Sequence, residues 1–271
     1  NSVDTIYGLN SILNSSGQIY GINVNNAGTI TLGSTPSGSM NANGLGYSKT
    51  DGKFYFFNWS GAGGTGPGPT EFISFNPLTG AKTTLAIPSS PALPIASTGK
   101  IRSGAVNETG LGYYTIFPGA TTAMGYPVTG PAFYYYDITT DTWTLVSQSF
   151  KDISGNTVNE IKNLTSGDMA FDGFGRLWML CSSTTNYALY RINAPMPTSP
   201  VASIIVDTII PITPTPGGVG FTGMAFNSNG YLYLVTSSGL GANNNVLYEM
   251  TSPITPLNVI GTLPDGAGDD I

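Results

Sequence analysis

Apolar residues fall along this chain in short runs rich in aromatic and β-branched side chains, each closed by small or polar turn residues such as Gly, Pro, Asn, Ser and Thr. Many short runs of that kind joined by turns predict an all-β chain. The pattern also repeats. A strand of small residues leads through a Gly-containing turn into an aromatic-rich strand, then a second aromatic strand, then a β-branched one.

The clearest copies of the opening hairpin are Gly167-Asp168-Met169-Ala170-Phe171-Asp172 running on to Leu177-Trp178-Met179-Leu180, and Gly223-Met224-Ala225-Phe226-Asn227 running on to Tyr231-Leu232-Tyr233-Leu234-Val235. Gly44 to Phe57 is an earlier copy and Gly104 to Ile116 a weaker one. Asp-Gly, Asn-Gly and related pairs favour hairpins because both residues tolerate positive φ. Third strands recur at Gln18–Asn23, Glu71–Asn76, Phe133–Asp137, Ala188–Asn193 and Val246–Met250. Fourth strands recur at Thr29–Ser34, Lys82–Ile87, Thr142–Ser147, Val201–Thr208 and Asn258–Leu263.

Four strands per repeat, every few tens of residues, predict the blades of a β-propeller rather than a β-sandwich. The copies count to five, with six left open: 1–36 together with 266–271, 44–87, 103–147, 167–209 and 223–264, all in one domain. The first copy lacks its innermost strand. Gly268-Asp269-Asp270-Ile271 aligns with Gly167-Asp168-Met169-Ala170, so the C-terminus is expected to supply that strand and close the ring, leaving no exposed sheet edge there. The segments 88–102 and 147–167 read as loops.

Composition narrows the class. Hydrophobic residues make up 40% of the chain and charged residues 9%, which excludes disorder. A net charge of −6 offers no basic stripe for nucleic acid, and no apolar run is long enough to span a bilayer. A single cysteine, Cys181, rules out disulfides within the chain and reads as a buried small hydrophobe. Few lysines, many Asn, Ser, Thr and Gly, and a start at Asn1 rather than Met lead to the expectation of a processed or trimmed extracellular or cell-surface bacterial protein.

The units at 167–172 and 223–227, the continuations Leu177-Trp178 and Leu232-Tyr233, and the terminal Gly-Asp-Asp-Ile resemble bacterial surface β-propeller modules of the Bacteroidetes type, found in large adhesin-like secreted proteins. The resemblance implies adhesion or display, protein or glycan partners at a cell surface, and a place within a larger polypeptide. It carries no catalytic motif.

Candidate chemistry is sparse. Histidine is absent, which removes His-based triads and the commonest zinc and copper ligand. Asp168, Asp269 and Asp270, near innermost strands, are the expected ligands of a Ca²⁺ ion, since hard cations take carboxylate and carbonyl oxygens. The alternative to calcium is that these aspartates cap turns or accept backbone N–H bonds. Together with Glu108 they are also the candidates for the carboxylate pair a glycosidase needs. Trp59, Phe117 and Tyr126, in or beside the long loops 61–69 and 118–131, are the expected ligand-binding aromatics, because rigid scaffolds carry binding on their loops. The leading expectation is therefore a non-catalytic adhesin-like display module. The alternatives are a carbohydrate-binding or glycoside-processing propeller and a structural subunit of a surface assembly.

Overall fold

The computed structural model describes residues 4–10, 18–34, 40–60, 70–87, 103–117, 131–163, 167–182, 187–212, 220–236, 245–264 and 271. They form five antiparallel blades. Blade one holds β1 (Thr5–Leu9), β2 (Gln18–Asn23) and β3 (Thr29–Ser34). Blade two holds β4 (Met40–Ser48), β5 (Lys53–Ser60), β6 (Thr70–Asn76) and β7 (Ala81–Leu85). Blade three holds β8 (Gly104–Val106), β9 (Gly112–Phe117), β10 (Ala132–Asp137) and β11 (Thr142–Ser147).

A short strand, β12 (Phe150–Asp152), and a 3₁₀ turn (Asn159–Asn163) then precede blade four. Blade four holds β13 (Met169–Phe171), β14 (Leu177–Ser182), β15 (Tyr187–Ile192) and β16 (Ile204–Ile212). Blade five holds β17 (Phe221–Phe226), β18 (Leu232–Thr236), β19 (Val246–Met250) and β20 (Asn258–Thr262). The five-bladed propeller expected from the repeat is the fold observed.

The ring is built from seams between blades. Strands β4, β8, β13 and β17 lie innermost, each beside the next, and β1 sits between β17 and β4. Because side chains alternate across a strand, each blade has two apolar faces and meets a neighbour on each. Five buried clusters result, one per seam. Gly46 shows how tightly inner strands approach: a Cβ there would stand 2.8 Å from the Val106 backbone nitrogen.

Blade one is the exception. Its described sheet has three strands, and the inner place beside β1 is reached by Ile271, which is 5% exposed and packs with Ile6, Ile22 and Tyr233. Residues 265–270, which carry the expected closing strand, lie outside the described residues.

The segment 147–167, expected as a plain loop, does more than connect. β12 pairs in parallel with the start of β16, placing Phe150 opposite Ile204 and Asp152 opposite Val206. β16 is the most apolar outer strand, and an uncovered apolar edge invites pairing with other chains. Phe150, Val158 and Ile161 are buried in the seam between blades three and four. β16 also begins and ends later than the expected Val201–Thr208, at Ile204–Ile212. No described helix is long and apolar enough to cross a membrane.

Candidate functional site

The inner strands end where each repeat has an aromatic or β-branched residue just before its turn: Tyr47, Val106, Phe171 and Phe226. A cavity of about 230 Å³ opens on the propeller axis at that end. Its deeper wall is small and apolar, made of Gly46, Ala105, Met169, Ala170 and Met224, with Ile271 closing the blade-one side. Its mouth carries Tyr7, Tyr47, Phe171 and Phe226, all at least partly exposed. Cavities that bind small molecules combine apolar walls with few polar groups in this way.

Two of the four rings stand together. Tyr7 and Tyr47 lie 4.8 Å apart between centroids, and Phe54 supports both from beneath, at 5.0 Å and 4.9 Å. Burial raises the Tyr7 phenol above its ordinary value, and the neighbouring Tyr47 adds to the shift. Its hydroxyl, like that of any tyrosine, can donate a hydrogen bond.

The turns around this mouth are stitched to one another. Ser48 Oγ donates to the Gly110 carbonyl at 2.6 Å and Thr50 Oγ1 to the Thr109 carbonyl at 2.7 Å, joining blades two and three. Ser228 and Asn229 donate to Asp4 at 3.3 Å, joining blades five and one. The collar is thus held in shape before any ligand arrives.

The aspartates expected at the axis fare differently. Asp168 is buried and accepts the Met169 N–H on Oδ1 at 2.7 Å and the Met224 N–H on Oδ2 at 2.9 Å. It clasps β13 to β17 across a seam, which is the structural role weighed against metal binding. Calcium takes six to eight oxygens, and the described residues contain no cluster of three or more His, Cys, Asp or Glu. Asp269 and Asp270, its expected co-ligands, lie outside the described residues. Glu108 sits at a turn, with its carboxylate against Gly175 of the next blade. No carboxylate lines the described cavity wall.

Of the expected binding aromatics, Trp59 lies within β5, its backbone paired with Asn41 and Thr70. Phe117 ends β9 opposite Ala132. Tyr126 and the loops 61–69 and 118–130 lie outside the described residues. Cys181 is buried, as expected, and burial pushes its thiol far above the ordinary range. Three of the collar rings, Tyr47, Phe171 and Phe226, stand just before a turn of the repeat, whereas Tyr7 lies within β1 and joins them only through the packing of the blades.

No family model matches this chain, and no curated protein matches it. Solved structures do. A luciferin-regenerating enzyme aligns over 99% of this chain and 83% of its own, at 14% identity and a TM-score of 0.47. A GH43 β-1,3-galactosidase aligns over 81% and 76%, at 14% and 0.47. The calcium-binding protein regucalcin from Agrobacterium tumefaciens aligns over 96% and 78%, at 12% and 0.46. At these identities the likeness concerns the fold alone. Enzymes predominate among the similar structures, with glycoside hydrolases, a gluconolactonase and an aldose sugar dehydrogenase included. The expectation of a non-catalytic adhesin-like display module is corrected on that finding, and the rim loops that motivated it are not among the described residues.

Proposed function

We propose that this protein is a carbohydrate-directed propeller that seats a sugar ring against the aromatic collar of its axial cavity. The single observation that carries the reading is the pairing of Tyr7 and Tyr47 at the mouth of a cavity of about 230 Å³. A tyrosine face offers apolar area to the C–H side of a sugar, and its hydroxyl offers a hydrogen bond to the ring's own hydroxyls. The stitched turns support the reading, because a site ordered beforehand loses less entropy on binding.

Processing of the bound sugar is the second half of the proposal. Glycoside cleavage needs two carboxyl groups flanking the bond. None of the described residues that line the cavity is a carboxylate, so turnover is the part of the proposal that product analysis decides. An extracellular setting, where sugar polymers are met, belongs to the same proposal.

Calorimetric titration of mono- and oligosaccharides tests it. Tyr47→Ala is expected to weaken binding about tenfold or more, the loss typical of a buried aromatic anchor. Product analysis on the bound sugars tests turnover. Absence of saccharide binding in the unaltered protein would sink the proposal.

A further inference from the structure

The turn after β13 presents Phe174 to solvent at 78% exposure. Turn tips favour polar residues that can bond the backbone, and the corresponding tips of the other blades carry Asp51, Thr109 and Asn229. Folding gains little from an exposed phenylalanine there. Yet Phe174 is held firmly: its N–H donates to Asp172 Oδ1 at 2.9 Å, and the Arg176 guanidinium lies over its ring at 4.9 Å from the centroid. Arg176 is itself fixed by Nε donating to Asp172 Oδ2 at 2.6 Å, and Asp172 is buried. A guanidinium has five N–H donors, so Arg176 retains others for a ligand's hydroxyls.

Position supplies the rest. Phe171, three residues earlier in the chain, is part of the cavity mouth. Chain reach keeps the two α-carbons within about 11 Å of each other. An exposed aromatic ring backed by a cation therefore stands on the same end of the propeller as the axial collar, a short step outward from it.

We propose that Phe174 and Arg176 form a second sugar subsite, so that the ligand is an oligosaccharide running from the axial collar outward over blade four. This rests on the carbohydrate reading of the collar and specifies its substrate class as a chain rather than a single sugar. One face of the Phe174 ring stacks on a sugar unit while Arg176 covers the other and donates to hydroxyls.

The test is calorimetric titration of cello-, xylo-, malto- and galacto-oligosaccharides, each from monosaccharide to hexasaccharide, against the unaltered protein, Phe174→Ala, Phe174→Trp and Tyr47→Ala. In the unaltered protein, affinity is expected to rise with chain length. Phe174→Ala is expected to lower affinity for the longer members by about two- to tenfold, the worth of one aromatic contact, and to leave the shortest ligands unchanged. Phe174→Trp is expected to keep the rise. If saccharides bind and Tyr47→Ala weakens them, but affinity is flat with length or indifferent to Phe174→Ala, the second subsite is wrong and the collar stands. If none binds the unaltered protein, both readings fall.

Discussion

The turns after β13 and β17 are the same turn carrying different cargo. In blade four the Phe174 and Arg176 N–H groups donate to Asp172 Oδ1 at 2.9 Å and 3.0 Å. In blade five the Asn229 and Tyr231 N–H groups donate to Asn227 Oδ1 at 3.0 Å and 2.8 Å. Each turn then holds a glycine at positive φ, 76° for Gly175 and 81° for Gly230. Beyond this skeleton they diverge. Asp172 also gathers Arg176 Nε and Trp178 Nε1, the latter at 2.9 Å, whereas Asn227 reaches only the Tyr233 hydroxyl, at 3.3 Å. The blade-five tip is spent on ring closure through Asp4, while the blade-four tip projects an aromatic ring. A short polar residue at the first position fixes the turn, and that leaves the tip free to vary with function.

The sharpest way to break the comparison is at the organising residue. Asp172→Ala leaves a buried tryptophan N–H and a partly exposed arginine without their acceptor, and is expected to cost roughly 2–4 kcal/mol. Asn227→Ala removes neutral hydrogen bonds and is expected to cost only about 1–2 kcal/mol. Denaturant melts of the two variants check this, and equal losses would show that the charged network in blade four adds nothing.

The glycines provide a smaller test. Either Gly→Ala change meets the left-handed backbone penalty of about 1–2 kcal/mol. At Gly230 a Cβ meets nothing within 4 Å, whereas at Gly175 it comes to 2.8 Å from the Glu108 carboxyl carbon. The Glu108 carboxyl is the exposed end of a flexible side chain and can swing aside, so Gly175→Ala and Gly230→Ala are expected to lower Tm by similar amounts. A much larger loss at Gly175 would show that Glu108 is held in place.

The smallest effect is the share of the acid sensitivity that the Arg191–Asp207 pair of blade four contributes. Arg191 donates to both Asp207 oxygens, at 2.9 Å and 2.8 Å, and lies 5.5 Å over the Trp178 ring that Asp172 also holds. The hydrogen bond from Arg191 leads the causes that hold the Asp207 carboxyl below its ordinary value. A carboxylate whose pKa is depressed by folding stabilises the protein above its unfolded pKa, about 3.9, and loses that contribution as pH falls through the folded value. Tm is expected to fall more steeply below about pH 4 in the unaltered protein than in Asp207→Asn. Parallel curves would mean that the pair is fully screened by solvent.

Phe133 to Tyr136 show how far sequence reading reaches. In a strand, Phe133 and Tyr135 must share one face and Tyr134 and Tyr136 the other, and the structure buries Phe133 in the blade three–four seam with Tyr134 and Tyr136 in the blade two–three seam. Local geometry was enough because a strand's two faces follow from its period. The roles of Phe171 and Phe174 were not legible in that way. Both lie in a recognised hairpin, but nothing in the repeat distinguishes a ring that lines the axis from one that points to solvent. β12 was missed for a related reason: three residues carry no strand signal of their own, and the pairing exists because β16 has an apolar edge to cover.

The sequence by itself determined the blades, their turns and their apolar faces, since period, turn chemistry and positive-φ glycines act over a few residues. Tertiary structure alone decided what stands at the axis. Tyr7 and Tyr47 are 40 residues apart in number and 4.8 Å apart between ring centroids, and only the packing of the first blade against the second brings them together. The paired tyrosines and the aspartate clasp come from the packing of successive blades, and the cavity from the meeting of all five at the axis, because each depends on side chains that are distant in sequence.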